Sequence, residues 1–141
     1  MAIIKYTTEI DARKTVGEVN GILASNGAKA VLVEYDQGRP VALAFKLDTS
    51  RGEMGYRLPA NPHAILRILE RDRVDRRYRN LDQATRVAWR IIKDWVASQA
   101  ALAESEMVEM EEIFLPYLLL SDKQTVFERW KGGYLLTSGK E

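Results

Sequence analysis

Apolar and polar positions alternate most clearly in the N-terminal half of the chain. The strongest alternation places large apolar residues at every second position: Val41, Leu43, Phe45 and Leu47. A period of two is that of a β-strand with one apolar face. Shorter runs of the same kind and the turn residues between them predict three antiparallel strands joined by short loops, near residues 29–35, 40–47 and 53–58.

The segment before these strands predicts a further strand and one helix. Ile3 to Thr8 alternates weakly, which favours a strand at the start of the chain. Thr15 and Glu18 have the spacing of a capping box, so a helix is expected to begin at about Thr15 and to stop at Gly27. Its apolar stripe predicts packing against one face of the sheet.

The C-terminal half has helical spacing. Asn61 and Pro62 predict a helix start, with Asn as N-cap and Pro at the first helical position. Asp82 is the expected N-cap of the longest helix, which reaches about Glu104. Its wide apolar face predicts packing on more than one side. Three residues on the axis of that face are expected to be buried: Ile91, Trp95 and Leu102.

Three further segments are less regular. Residues 71–80 are polar and are expected to form either a frayed helix or an exposed loop. Met107 to Leu118 predicts another helix, with Pro116 near its end. The segment from Val126 to Leu136 is rich in aromatic residues and is expected to dock onto the rest of the protein.

These elements predict a single α+β domain over residues 1–141. Residues 1–60 are the sheet-forming part, an N-terminal β-α-β-β-β antiparallel meander with a helix on one face. Residues 61–141 form a C-terminal helical region. A chain of this length buries enough surface to fold without metal or disulfide cross-links.

Composition narrows the possible chemistry. The chain has 46% hydrophobic and 29% charged residues, a globular balance, and contains no cysteine. Disulfides, thiolate metal sites and cysteine nucleophiles are therefore excluded. The start of the chain does not resemble a signal peptide, and the longest apolar run, IFLPYLLL, is too short for a membrane span. A cytoplasmic protein without membrane contact is expected.

No catalytic constellation, metal site or cofactor motif is recognisable. His63 is the only histidine, which argues against a zinc site and a Ser-His-Asp triad, and no glycine-rich phosphate loop is present. A nuclease strand would place a carboxylate two residues before a lysine, but Ala44 precedes Lys46. A protein that is not an enzyme is expected, and a phosphodiesterase-like enzyme is the least favoured alternative.

Charge is unevenly distributed. Residues 64–103 carry nine basic and five acidic side chains, whereas residues 104–141 carry four basic and eight acidic ones. This asymmetry predicts a basic and an acidic face, unless the two halves neutralise each other within the fold. Five acids lie close together: Glu104, Glu106, Glu109, Glu111 and Glu112. They favour the solvated face of an amphipathic helix over a divalent-cation site.

Arginine is concentrated where the basic half begins. Five arginines and a tyrosine fall within nine residues: Arg71, Arg73, Arg76, Arg77, Tyr78 and Arg79. Three more basic residues share one stripe of the following helix: Arg86, Arg90 and Lys93. Arginine grips phosphate oxygens bidentately and stacks on bases, so basic residues interleaved with an aromatic suit single-stranded nucleic acid. Acids interrupt the cluster, and a merely solvated surface is the alternative.

Three strings carry a resemblance to a known family: GYRLP, RVAWRIIKDWV and EMVEMEEIFLPYLL. From about Tyr6 to Arg129 the chain resembles a family of small uncharacterised proteins encoded by bacteriophages and prophages. The resemblance implies a setting among genes for DNA replication and recombination, and it provides no catalytic residue.

Two functions therefore remain for a non-enzymatic protein. The first is an accessory protein of phage-type DNA replication or recombination that binds single-stranded nucleic acid through its arginines. The second is a protein–protein adaptor or homodimer that uses the acidic C-terminal helix and the aromatic tail. Neither requires a cofactor.

Overall fold

The computed structural model describes residue 3 and residues 5–133. It contains a three-stranded antiparallel sheet in the order β1-β2-β3, and the α+β class is confirmed. The strands are β1 (Ala30–Asp36), β2 (Arg39–Thr49) and β3 (Gly52–Pro59). The helices are α1 (Ala12–Ser25), α2 (Pro62–Arg71), α3 (Leu81–Glu104), α4 (Met110–Ile113) and α5 (Val126–Lys131).

The strand expected at Ile3–Thr8 is wrong for the residues described there. Lys5 to Thr7 form a turn, in which the Thr8 amide donates to the Lys5 carbonyl at 3.1 Å. The buried side chain of Gln83 on α3 donates to the carbonyls of Tyr6 and Thr8 at 2.6 and 2.9 Å. A side chain of α3 therefore satisfies two backbone carbonyls of this segment, which needs no neighbouring strand for them.

Two of the three expected N-caps are wrong. At α1 the cap is Asp11, which accepts from the Arg13 amide, and Thr15 is buried inside the helix instead of capping it. At α3 the cap is Asn80, and Asp82 lies in the first turn. The cap at α2 is confirmed: the Asn61 side chain accepts from the Ala64 amide, and Pro62 follows it. Several polar residues near each start could cap, so sequence alone did not select one.

The core lies between the inner face of the sheet and two helices. Inward residues of the three strands pair across the sheet, as in the row Val31, Phe45 and Tyr56. Phe45 stacks on Tyr56 and meets the ring of Phe114 edge-on, and all three rings are buried. α1 and α3 pack against each other behind β2.

The widest apolar face, on α3, packs on two sides as expected, against α1 and α2. The residues buried there are different ones, however. Trp89 is fully buried, and its indole N–H donates to the Pro40 carbonyl at 2.9 Å. Ile91 and Leu102 are 38% and 37% exposed, and Trp95 is only partly buried. The side of α3 that carries Trp89 faces the sheet. The prediction that Ile91, Trp95 and Leu102 form the buried axis of this helix is therefore wrong.

The helix expected at Met107–Leu118 is also wrong. Glu106 adopts a left-handed φ of 64° after α3, and the next helix is the single turn α4. A 3-10 turn, Leu115–Tyr117, follows at Pro116. Leu118 then forms an isolated β-bridge with Tyr56, and the Leu119 amide donates to the Gly55 carbonyl at 2.8 Å. This segment satisfies part of the free edge of β3 instead of extending a helix.

The end of the described chain is α5. Its N-cap Thr125 and Glu128 form a capping box, and α5 packs on the 3-10 turn at Leu115–Tyr117. Phe127 and Trp130 stay 47% and 45% exposed, so this segment docks only in part. The remaining residues of the expected docking segment, 134–136, lie outside the described residues.

Truncating Trp89 should destabilise the protein strongly. Trp89→Ala removes a fully buried ring and one buried hydrogen bond, so we expect a loss of about 3–5 kcal/mol in the free energy of unfolding. Ile91→Ala, on the same helix, should cost less than about 1 kcal/mol because its side chain is partly solvated. Urea denaturation followed by circular dichroism measures both, and equal losses would contradict the orientation of α3.

The outer face of the sheet carries a pH-dependent ion pair. Arg57 donates twice to Glu34, both times at 2.9 Å, and this lowers the pKa of Glu34 from its ordinary 4.5. The pair therefore stabilises the fold above that value, and the contribution is lost as pH falls through the lowered pKa. Glu34→Gln should cost about 0.2–1 kcal/mol at pH 7, and the difference from the wild type should shrink as the pH falls below 4.5. Urea melts at a series of pH values across this range test this.

Candidate nucleic-acid interface

The predicted arginine cluster forms the connection between α2 and α3, here called the arginine loop (residues 72–80). The loop begins with a Schellman motif: the Val74 amide donates to the Leu69 carbonyl at 3.3 Å, and the Arg73 amide donates to the Glu70 carbonyl at 3.2 Å. Val74 and Leu69 are buried together with Ala84 of α3. This contact fixes the start of the loop against the helix that follows it.

The second half of the loop is also held by hydrogen bonds. Asp75 accepts from the Arg77 amide at 3.1 Å and caps a 3-10 turn, Arg76–Tyr78. The Asn80 side chain donates to the Arg77 carbonyl at 3.0 Å and accepts from the Gln83 amide at 2.8 Å. Of the two expected forms, frayed helix or exposed loop, the structure has an exposed loop with a defined backbone.

Two of the arginines are engaged by neighbouring groups. Arg71 donates to both oxygens of Asp72 at 2.9 and 3.3 Å, a contact that lowers the pKa of Asp72 and raises that of Arg71. The Arg77 guanidinium lies 4.8 Å from the centre of the Tyr78 ring and 3.9 Å from an oxygen of Asp75. Neither contact encloses the guanidinium, because both side chains remain exposed.

Three arginines of the loop point to solvent. Arg73, Arg76 and Arg79 are exposed and form no ion pair with any acid in the described part of the chain. Their donors are therefore open to an external anion. Arginine presents five N–H donors in a planar fork, which matches phosphate oxygens.

Tyr78 is half-buried and does not offer a free ring face on both sides. Its ring meets the Tyr6 ring edge-on, with centroids 5.5 Å apart, and Arg77 lies over it. A base would therefore stack on the Arg77 guanidinium or replace it on the Tyr78 ring. The expected role of Tyr78 stays a prediction.

The stripe of Arg86, Arg90 and Lys93 does not form one surface with the loop. Arg90 lies 3.7 Å from Glu18 of α1, and its side chain is 19% exposed. Lys93 lines a groove between α1 and α3 together with Glu18 and Glu104. Arg90 and Lys93 lie further along α3 than the arginine loop, and there they face α1. Only Arg86 lies near the start of α3.

Arg86 lies in a polar cleft that the sequence did not predict. It donates twice to the Gln83 side-chain oxygen at 3.0 and 2.8 Å, and Gln83 also holds the carbonyl of Tyr6 beneath the loop. The cleft, here called the arginine cleft, has a volume of about 240 Å³. Its charged lining residues are Asp11, Arg13, Arg39, Asp82 and Arg86.

Both acids of the arginine cleft already accept hydrogen bonds. Asp11 caps α1 through the Arg13 amide at 2.8 Å, and Asp82 accepts from Arg39 Nε at 2.8 Å. The three guanidinium groups then outnumber the two carboxylates. Arg13 and Arg39 were missed because only the fold brings the start of α1 and the β1–β2 turn beside α3, and neither segment has an arginine-rich pattern.

The acidic stretch is used within the protein. Glu111 accepts from the amide and hydroxyl of Ser50 at 3.0 and 2.8 Å, which ties it to the β2–β3 turn. Glu109 and Glu112 form the capping box of α4. In the part of the chain that the structure describes, no group of three or more His, Asp or Glu residues is arranged to hold a metal ion.

A separate apolar surface lies beside the acidic stretch. Leu115, Phe127 and Trp130 are between 45% and 49% exposed and line a shallow pocket of about 190 Å³ with Pro116 and Val126.

No helix among the described residues is long and apolar enough to cross a bilayer.

Comparison of the chain with family models, with curated proteins and with solved structures finds no match.

The conformation of Arg73 gives a direct test of how the loop is built. Arg73 has a left-handed φ of 52° in the Schellman motif that ends α2. Gly27, with a φ of 102°, occupies the same position in the corresponding motif at the end of α1. Arg73→Gly should therefore raise the free energy of unfolding by about 0.5–1 kcal/mol. Arg73→Ala removes the same charge but keeps the strain, so it should give no such gain. Urea denaturation compares the two variants.

Proposed function

We propose that the protein is a non-enzymatic accessory protein of phage-type DNA replication or recombination that binds single-stranded nucleic acid. The observation that carries the proposal is the set of exposed arginines on an ordered loop that form no ion pair with any described residue: Arg73, Arg76 and Arg79. The resemblance to phage proteins supports the setting, and the arginines support the ligand.

The arginine loop supplies both parts of single-strand recognition. Its exposed guanidinium groups neutralise backbone phosphates, and the pair of Arg77 and Tyr78 offers a planar surface for a base. The arginine cleft adds three guanidinium groups, and Gln83 joins one of them, Arg86, to the Tyr6 segment that meets the Tyr78 ring. Both surfaces therefore lie around the start of α3.

A second function, a protein–protein adaptor, is favoured by one observation. Leu115, Phe127 and Trp130 form an exposed apolar surface next to acidic residues, a composition typical of protein interfaces. Exposed arginines are compatible with both functions. A direct measurement of nucleic-acid binding distinguishes the two.

Removing two of these exposed arginines should weaken nucleic-acid binding in a salt-dependent way. Each phosphate neutralised on a single strand contributes about −0.7 to the slope of log K against log salt. Arg76→Ala with Arg79→Ala should therefore flatten that slope by roughly 1–1.5, while the melting temperature stays nearly unchanged. Fluorescence anisotropy with a labelled single-stranded oligonucleotide at several salt concentrations measures the slope.

A matched control removes the same charge elsewhere. Arg51 lies in the β2–β3 turn and Lys131 at the end of α5, and both are exposed. Arg51→Ala with Lys131→Ala should leave the slope close to that of the wild type. Equal effects of the two double variants would show a general charge effect without a site. Wild-type protein that does not bind at low salt and micromolar concentration would overturn the proposal in favour of the adaptor.

A further inference from the structure

The outer side of β1 is a sheet edge without a partner strand among the described residues. The strand order places β1 at one end of the sheet, and no other segment among the described residues pairs with its outer side. Edge strands are usually protected by proline, lysine or a bulge near their centre. β1 has neither proline nor lysine between Ala30 and Asp36, and its one irregularity lies late, between Glu34 and Tyr35. The stretch from Ala30 to Val33 is regular and uncharged.

The outer face beside this edge is also accessible. On the inner side, Val31 and Val33 pack against the core and are only partly buried. On the outer side, Leu32 is 63% exposed. It borders a mainly apolar hollow of about 320 Å³, together with Ala44 and Leu119.

Two of the charges near the edge are paired within the same chain. Glu34 is held by two hydrogen bonds from Arg57, and Lys29 lies within 3.4 Å of both Asp48 and Glu53. These ion pairs reduce the repulsion that would otherwise keep another strand away. The outer edge of β1 is therefore both apolar and electrostatically permissive.

We propose that β1 pairs antiparallel with β1 of a second copy, centred on Leu32, to form a continuous six-stranded sheet. Directly opposed side chains share one face of a sheet, so this register places Leu32 against Leu32 and Val31 against Val33. The strand is thus complementary to itself, which identifies a second copy as the occupant. The helices of both copies lie on the same side of the joint sheet.

Neighbouring registers are less favourable. A dimer centred on Val33 places Leu32 against Glu34, and one centred on Glu34 places the two Glu34 carboxylates against each other. Shifting by a single residue would turn the apolar face of one copy to the opposite side of the other. The register on Leu32 alone combines apolar pairs at the centre with separated acids.

The first experiment measures association. Sedimentation velocity of the full chain over about a hundred-fold range of concentration should show a monomer–dimer equilibrium. Leu32→Lys places two like charges at the centre and should weaken association by about ten-fold or more, whereas circular dichroism should show unchanged folding. Leu115→Lys is the matched control, because Leu115 is a similarly exposed leucine on the other apolar surface.

The second experiment tests the register. The chain has no cysteine, so Leu32→Cys introduces a single thiol. In the proposed register the two thiols face each other within disulfide range, and mild oxidation should give a covalent dimer. Ala30→Cys is the control, since its two copies would lie about 13 Å apart along the strands and should not cross-link.

Several outcomes would overturn the proposal. A wild type that is monomeric at every concentration excludes the dimer. A dimer that Leu115→Lys dissociates and Leu32→Lys leaves intact places the interface on the C-terminal apolar surface. Cross-linking of Ala30→Cys as readily as Leu32→Cys excludes the register. None of these results depends on nucleic-acid binding.

Discussion

The hydrogen bond from the Trp89 indole to the Pro40 carbonyl fixes the rest of the structure. It joins the middle of α3 to the start of the central strand, inside a core from which water is excluded. A buried indole N–H without an acceptor is costly, so α3 has little freedom to rotate or slide against the sheet. The start of α3, the arginine loop before it and the arginine cleft beside it follow from this one orientation.

Gln83 links that orientation to the arginine loop and the arginine cleft. Its buried amide binds the N-terminal segment on one side and Arg86 on the other. A buried polar side chain with all its groups satisfied selects one arrangement over alternatives of similar apolar burial. The N-terminal segment forms a turn instead of the expected strand. The Gln83 amide supplies the hydrogen bonds that a neighbouring strand would have supplied.

Local sequence patterns predicted the elements whose signals do not depend on contacts elsewhere in the fold. The alternation around β2 and the Asn61–Pro62 start of α2 required no tertiary information. The buried side of α3 and the end of the expected fourth helix did require it, because the sheet selects Trp89 over Ile91 and β3 attracts the chain after Pro116. At the site, the arginine loop was visible as a cluster, whereas Arg13 and Arg39 are neighbours of Arg86 only in the folded chain.

The defined backbone of the arginine loop has a consequence for the thermodynamics of recognition. A disordered basic segment loses backbone entropy of about 1–2 kcal/mol for each residue that a ligand orders. The Schellman motif and the caps at Asp75 and Asn80 have already removed that freedom during folding. Only side-chain rotamers of the arginines remain to be ordered, so a ligand of this surface meets a smaller entropic cost on binding.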